Sequence, residues 1–398
     1  MKNVVTLHLE IRIITLRMRQ RILLAIVLLF NLAASFAQDK TFNVATVNVD
    51  GLPASILFIN INKEGPGSTY TPYISQYLAL NDFDFIGVQE NFDFNTELHS
   101  ALDDYYDADE WSGGIYASGG NFSIFSMKFP CDGLNAFWKK EIKVASTTRI
   151  PWWINNGKLD HASDNLVTKG FRRHEVEFSD GFKMRIYNMH MDASTEYDEE
   201  YGYDQDDRDA RRSQWIQLRE DIVERLDDRP VIIMGDLNSY YERDSIKALF
   251  INKIIETGRA TVSDVWIELE RGGIYPTLKE GPIMADNTRG WTRNGEALDK
   301  IIYINPLEGE MHLRALSIEV HDKNYHREDP DEPLGDHFPL SARFERVLGD
   351  LNGLTVPIIH DESDTEAIYD IQGNRHTHLQ RGLNIIRTKD GRTLKVMR

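Results

Sequence analysis

The chain has 398 residues, 41% hydrophobic and 10% aromatic, a composition that supplies a packed core and excludes a largely disordered protein. Its formal charge of −18 excludes a general electrostatic attraction to nucleic acid, although a local cationic or metal-bearing groove can override net charge. The single cysteine, Cys131, excludes an intramolecular disulfide framework and a Cys-rich zinc site, and reads as a small buried apolar residue.

In chain order, residues 18–37 have the three parts of a secretory signal. Arg19 and Arg21 precede the apolar stretch Ile22–Phe30, and Ser35-Phe36-Ala37 supplies a small-x-small cleavage site, so residues 1–37 are expected to be removed before Gln38. Met18 is an alternative start. The apolar stretch is too short to span ~30 Å of hydrocarbon, which disfavours a membrane anchor.

Residues 38–347 read as one catalytic domain. Phe42–Val49 and Phe85–Val88 are apolar strand runs bracketing a helix at Pro72–Leu80. Asn121–Phe125, Phe171–Phe178 and Met184–Met189 are predicted strands, the last two joined by the turn residues Ser179-Asp180-Gly181. Asp207–Leu226 carries Trp215, Leu218, Ile222 and Leu226 at helical spacing. Val231–Met234, Lys300–Ile304 and Phe338–Phe344 complete the strand set. The expected fold class is α/β, two mixed sheets packed face to face with helices outside. The dense acidic stretch Glu196–Asp209 lacks the glycine and closing glutamate of an EF-hand loop, and is expected to be a solvated insertion at the rim of the site. Residues 348–365 are a polar linker, and 366–398 form a small basic β-module.

Six polar motifs sit at the ends of apolar runs: Thr46-Val47-Asn48, Val88-Gln89-Glu90, Asn188-Met189-His190-Met191-Asp192, Gly235-Asp236-Leu237-Asn238, Ala297-Leu298-Asp299-Lys300 and Gly335-Asp336-His337. Taken singly, Asn48 reads as a turn residue, Asp299 as a cap and His190 as a satisfied core histidine. Jointly they supply hard-metal ligands, proton-moving histidines and phosphate-holding amides, which points to metal-assisted phosphoester hydrolysis. Glu90 is the natural Mg²⁺ ligand, with Mn²⁺ or Ca²⁺ as alternatives, and Asp336 ligates directly or through water. Asn48 is placed against the phosphate oxygens or a metal-bound water. Asp236 and Asn238, one residue apart, project to the same side and share one phosphate-sized site. His337 suits general-base work, with Asp299 fixing its tautomer, and His190 is the second proton-mover, at the leaving group.

This ordered set resembles the endonuclease/exonuclease/phosphatase superfamily, which includes deoxyribonuclease I, neutral sphingomyelinases and inositol polyphosphate 5-phosphatases. The resemblance covers about residues 41–347 and implies a four-layer α/β sandwich and a Mg²⁺-dependent hydrolase. By position Asn48 resembles the family's first-strand asparagine, Glu90 its magnesium glutamate, and His190 the histidine of N-x-H-x-D. Asp236 and Asn238 match the G-D-x-N pair, Asp299 the aspartate that orients the final histidine, and Asp336-His337 the S-D-H ending, with Gly335 where serine is usual. Thr46–Pro53, Gly120–Met127 and Thr168-Lys169-Gly170-Phe171 are similar to stretches of secreted sphingomyelinases, so a phospholipid substrate is favoured over nucleic acid. Trp152 and Trp153, beside Pro151, are candidates for peripheral membrane contact, with sheet-edge capping as the alternative. No obligate protein partner is evident. The tail, with Ile368–Gly373, Arg381–Ile386 and Thr393–Arg398, resembles the C-terminal sorting domain of Bacteroidetes type IX secretion substrates.

Overall fold

Two six-stranded mixed sheets form the centre of the molecule. The first runs β13 (Met311–Val320), β14 (Leu340–Leu348), β1 (Thr41–Asn48), β4 (Phe85–Gln89), β6 (Asn135–Lys139), β5 (Tyr106–Ala108). The second runs β11 (Ala260–Asp264), β12 (Asp299–Pro306), β10 (Val231–Asp236), β9 (Lys183–His190), β8 (Gly170–Glu177), β7 (Lys143–Pro151). The computed structural model describes residues 40–56, 59–60, 62–115, 128–157, 161–193, 205–277, 298–329, 331–348, 365–370, 373–376, 383–388 and 393–397. The signal segment, the strand expected at 121–125, the Gly120–Met127 similarity, the acidic stretch through residue 204 and most of the linker lie outside these residues.

The inner faces of the two sheets share one apolar core. Val44 from β1 and Phe85 from β4 join Ile232 and Met234 from β10 and Ile301 and Tyr303 from β12. Central strands are buried on both faces, which is why β10 reads as the unbroken run Val-Ile-Ile-Met rather than as an alternation. Helix α1 (Gly67–Leu80) and α2 (Asn95–Leu102) follow β1 and β4. Helix α3 (Gln205–Glu224) buries Trp215, Leu218 and Ile222 on the expected stripe, and Leu226 packs just beyond its end. The Ser179-Asp180-Gly181 turn forms as expected: Gly181 has φ +84° and its N–H donates to the carbonyl of Phe178.

The sequence reading misses β5, β6, β7, β11 and β13. The strand β7 is an edge strand, exposed along most of its length and rich in Ser, Thr and Lys, so it carries no burial pattern to detect. The acidic stretch requires a correction. Its last residues, 205–209, open α3 rather than forming a loop, and Asp207 is buried, accepting a hydrogen bond from Asn156 Nδ2 at 2.8 Å. Cys131 is buried, as its neighbours suggest.

A small separate sheet is built from β15 (Thr365–Asp370), β16 (Arg375–His376), β17 (Leu383–Thr388) and β18 (Thr393–Met397), in the order β16-β15-β17-β18. A further pair, β2 (Ser55–Ile56) and β3 (Ile59–Asn60), extends from the end of β1. Among the described residues no helix is long and apolar enough to cross a membrane.

Candidate active site

Strand register does most of the assembly. Within the second sheet Asp236 on β10 pairs with His190 on the parallel strand β9 and with Asp299 on the antiparallel strand β12. Three site residues therefore stand in one row across three adjacent strands. In the first sheet Asn48 ends β1 beside Gln89 at the end of β4, with Glu90 next in the chain. The two sheets meet at these ends. Asn48 Nδ2 donates to Glu90 Oε1 at 2.9 Å and to Asp236 Oδ2 at 3.1 Å, tying one sheet to the other through a single amide. Directly behind, Gln89 Nε2 donates to Asn188 Oδ1 at 2.6 Å, and Asn188 Nδ2 donates to the carbonyls of Val88 and Asn135.

The backbone around the site is held in uncommon conformations. Of the non-glycine residues with positive φ among those described, Asp50 (+50°), Glu90 (+58°) and Asn238 (+46°) all belong to this region. Such conformations concentrate where a scaffold must aim side chains against local preference. Gly235 is required for a related reason: its φ is +150°, and a Cβ there would collide with the carbonyl of Met189 on β9.

His337 completes the row. Its ring lies between Asp299, with Nδ1 at 2.6 Å from Oδ2, and Asp236, with Nε2 at 3.9 Å from Oδ2. Burial alone would lower the pKa of His337, but the carboxylates of Asp299, Asp336 and Asp236 hold it well above the usual imidazole range. His190 goes the other way: burial, the ammonium of Lys169 and the ring of His337 push it well below that range. Lys169 Nζ lies 3.1 Å from His190 Nε2 and also pairs with Asp164. An ammonium only donates, so Nε2 is the acceptor and the imidazole proton sits on Nδ1. That Nδ1 has no hydrogen-bond partner among the described residues.

A family model described as the endonuclease/exonuclease/phosphatase family matches residues 45–303, which spans Asn48 through Asp299. The chain belongs to the endonuclease/exonuclease/phosphatase family. Solved structures share the family's fold at low identity. A TDP2 of D. rerio complexed with a single-strand DNA product has a TM-score of 0.50 and 16% identity, covering 77% of this chain and 100% of its own. A family member from Bacteroides thetaiotaomicron has a TM-score of 0.50 and 17% identity, covering 77% and 98%. The mannosyl-6-phosphatase of B. thetaiotaomicron has a TM-score of 0.50 and 17% identity, covering 77% and 100%. No curated protein matches the sequence.

The structure brings Asn48, Glu90, His190, Asp236, Asp299 and His337 together. Asn238 lies at their edge, its N–H on Asp236 Oδ1 at 3.1 Å and its Nδ2 on the carbonyl of Met191 at 3.3 Å. Donor atoms of Glu90, His190 and Asp236 lie within 4.8 Å of one another, close enough to share a cation. The expected ligand Asp336 is outside that group. Asp336 is exposed at the rim, and Asn48 spends its NH₂ on the two carboxylates and its Oδ1 on the N–H of Asp50 at 2.9 Å. Burial first, and the field of Asp336 second, raise the carboxyls of Glu90 to about 7 and Asp50 to about 8, so Asp336 still acts on the site. Asp236 is raised to about 6 by burial and by Asp299. Several mutually repelling carboxyls around a cleft suit a divalent cation in family enzymes that work with one.

Sequence reasoning missed Asp50, Asp164 and Lys169. Lys169 was legible only as part of a Lys-Gly similarity. Its buried position 3.1 Å from His190 comes from the path of residues 161–170, which no local pattern foretells. Trp152 is a correction. It is buried, packs on Phe171 at 5.0 Å between ring centroids, and donates from Nε1 to the carbonyl of His190 at 2.8 Å, so it supports the site instead of meeting a membrane. Trp153 and Ile154 are 61% and 52% exposed on the same loop.

Proposed function

We propose that this chain is a secreted, divalent-cation-dependent phosphodiesterase that hydrolyses the headgroup phosphodiester of a phospholipid, in the manner of a sphingomyelinase. The observation that carries the chemistry is the row His190–Asp236–Asp299 facing the Asn48–Glu90 pair, with His337 held at its end. Glu90 and Asp236 are the residues that would hold the cation, with Asp50 and Asp336 adding negative field. A cation bound there supplies Lewis-acid stabilisation of the charge that builds on the phosphoryl oxygens. Mg²⁺ is the favoured ion on the family resemblance, with Mn²⁺ or Ca²⁺ as alternatives.

The chain's own residues take the remaining tasks. Asp299 fixes His337 with its Nδ1–H donated; Nε2, on the Asp236 side, takes a proton from the attacking water once the ring has given up its second proton, which the surrounding carboxylates delay to higher pH. Asn48 and Asn238 orient the phosphate oxygens. His190 and Lys169 are assigned to the leaving oxygen, His190 to carry its proton and the buried Lys169 ammonium, 3.1 Å from His190 Nε2, to stabilise its charge. The secreted assignment rests on residues 18–37.

The lipid assignment is supported by Trp153 and Ile154. Their loop is fixed to the end of β9 by hydrogen bonds rather than left to fold over them. Gln214 Nε2 bridges the carbonyl of Ile154 at 2.9 Å and Asp192 Oδ1 at 2.7 Å, and Trp153 N–H donates to Gln217 Oε1 at 2.7 Å. Two large apolar side chains held outward beside a phosphodiester site fit an interfacial substrate. The test is a parallel assay of sphingomyelin vesicles, plasmid DNA, RNA and inositol phosphates, with Mg²⁺ and with chelator. Cation-dependent release of the lipid headgroup is expected; cleavage of DNA alone would instead establish a secreted nuclease, and an activity indifferent to chelator would defeat the cation chemistry.

A further inference from the structure

Asn238 has φ +46°, in the left-handed region that non-glycine residues rarely occupy. Such a conformation persists only where the surroundings over-determine it. Three hydrogen bonds do so here. The N–H of Asn238 donates to Asp236 Oδ1 at 3.1 Å, its Nδ2 donates to the carbonyl of Met191 at 3.3 Å, and its own carbonyl accepts from Arg243 Nη2 at 2.7 Å. The last is the shortest and comes from a charged donor, the stronger class of hydrogen bond. Arg243 is 3% exposed, its Nε donating to Asp244 Oδ2 at 2.9 Å and its guanidinium carbon lying 4.3 Å from the centroid of the Tyr240 ring. The fully buried Asp244 also takes the N–H of Tyr240 on Oδ2 at 2.8 Å and Arg211 Nε on Oδ1 at 3.1 Å. Arg211 reaches in from α3, and its Nη1 donates to the carbonyls of Asp192 at 3.2 Å and Ala193 at 2.8 Å. A chain of buried charges therefore runs from the segment that follows β9 to the turn that follows β10. Those two strands end in His190 and Asp236, and Asn238 Nδ2 bonds back to Met191 in the segment after β9.

We propose that Arg243 is a positioning residue for phosphodiester cleavage: anchored by Asp244 and Arg211, it holds the Asn238 carbonyl so that the left-handed backbone aims the side-chain amide at a phosphate oxygen. The inference rests on the phosphodiesterase reading above. An amide nitrogen carries two hydrogens, and the bond to Met191 takes one; the other is the donor that the phosphate meets. Such a donor works best when it is fixed before charge develops, because it then costs no reorganisation during the reaction. Arginine suits the task. Its planar fork reaches Asp244 and the Asn238 carbonyl at once, whereas a lysine ammonium in the same place keeps the ion pair without the fork's fixed geometry. Burying these charges also argues for a purpose beyond stability, since buried ion pairs are often no more stabilising than apolar side chains of the same volume.

The test measures kcat and KM on bis-p-nitrophenyl phosphate, a soluble phosphodiester, with Mg²⁺ present, alongside thermal unfolding. Arg243→Lys keeps a cation on Asp244, so its unfolding temperature should stay near that of the unaltered chain while kcat falls about tenfold to a hundredfold, the scale of a misplacement of about 1 Å. Asn238→Gly removes the amide and leaves a residue at ease with positive φ. In that background Arg243→Lys should alter the residual kcat by less than about twofold, because no amide is left to aim. Equal fold losses in both backgrounds overturn the proposal and make Arg243 a structural residue, as does a normal kcat in Arg243→Lys. Asparagine-selective isotope labelling gives a second readout by NMR. The side-chain NH₂ signal of Asn238, identified by its absence in Asn238→Gly, should move in Arg243→Lys, and a signal that stays in place overturns the proposal. If the unaltered chain cleaves no phosphodiester, the phosphodiesterase reading falls, while that signal still decides whether Arg243 sets the amide.

Discussion

The ammonium of Lys169 lies 3.1 Å from Nε2 of His190 while pairing with Asp164, and all three side chains are buried. Burial would lower the pKa of Lys169, yet Asp164, Asp192 and Glu90 together hold it above the usual lysine range, so the site contains a fixed positive charge. Lys169→Met leaves Asp164 buried and unpaired, an arrangement that costs about 3–5 kcal/mol. Lys169→Met combined with Asp164→Asn removes both charges and should regain most of that stability in thermal unfolding. Turnover should remain at least about a hundredfold below the unaltered chain in both variants, since a lost fixed cation removes a stabilising charge of the kind worth ~3 kcal/mol in a closed site. A double variant with normal turnover would show that the pair is only structural.

The contact between His337 and Asp299 predicts a second outcome. Asp299→Asn keeps the shape but no longer selects the Nδ1–H tautomer, and kcat should fall by about 10²–10⁴ with KM little altered. His337→Ala should cost as much, and the two together hardly more than either, because residues acting as one unit are not additive. A steady-state double-variant cycle measures this; independent, multiplying losses would separate the residues.

The legible part of the fold was the part with a strong burial pattern. Runs such as Val231–Met234 and Lys300–Ile304 are central strands whose both-sided burial leaves a continuous apolar signature, and each site residue found from sequence stands at the end of such a run. Edge strands were lost because β7 offers solvent a polar surface, and β5 is only three residues long. The same distinction governs the site. Asp236 and His190 were visible because register converts strand ends into neighbours, whereas Lys169 and Asp164 reach the site from irregular segments, where sequence spacing says nothing about distance.

Cation-free stability should fall as pH rises through neutrality. Asp50, Glu90 and Asp236 have folded pKa values of about 8, 7 and 6, raised first by burial, against ordinary values of 3.8, 4.5 and 3.8. Between the ordinary and the raised values the folded chain binds more protons than the unfolded one, so stability declines with pH across that window. His337, also raised, acts in the same direction: its contribution is complete below about pH 6.5 and is lost as pH climbs through its folded value. In chelator the unfolding temperature is expected to be higher at pH 5.5 than at pH 8.5. Saturating Mg²⁺ should narrow the difference by favouring the ionised carboxylates. A chelated protein that is more stable at the alkaline end would contradict these shifts.

The adjacent tryptophans Trp152 and Trp153 should respond in opposite ways. Trp152→Ala removes a buried indole and its hydrogen bond to the His190 carbonyl, and should cost about 3–5 kcal/mol of stability. Trp152→Phe keeps much of the ring but strands that carbonyl, for a loss of about 1–3 kcal/mol and a measurable fall in kcat on every substrate, because the carbonyl belongs to the residue that carries the His190 imidazole. Trp153→Ala should leave stability within about 0.5 kcal/mol, since the side chain already faces solvent. Its effect belongs at the interface: activity on sphingomyelin vesicles should drop about tenfold, equivalent to ~1.4 kcal/mol of lost partitioning, while a soluble phosphodiester is cleaved as before. Equal losses on both substrates would assign Trp153 to the chemistry or the fold and remove the support it gives to a lipid surface.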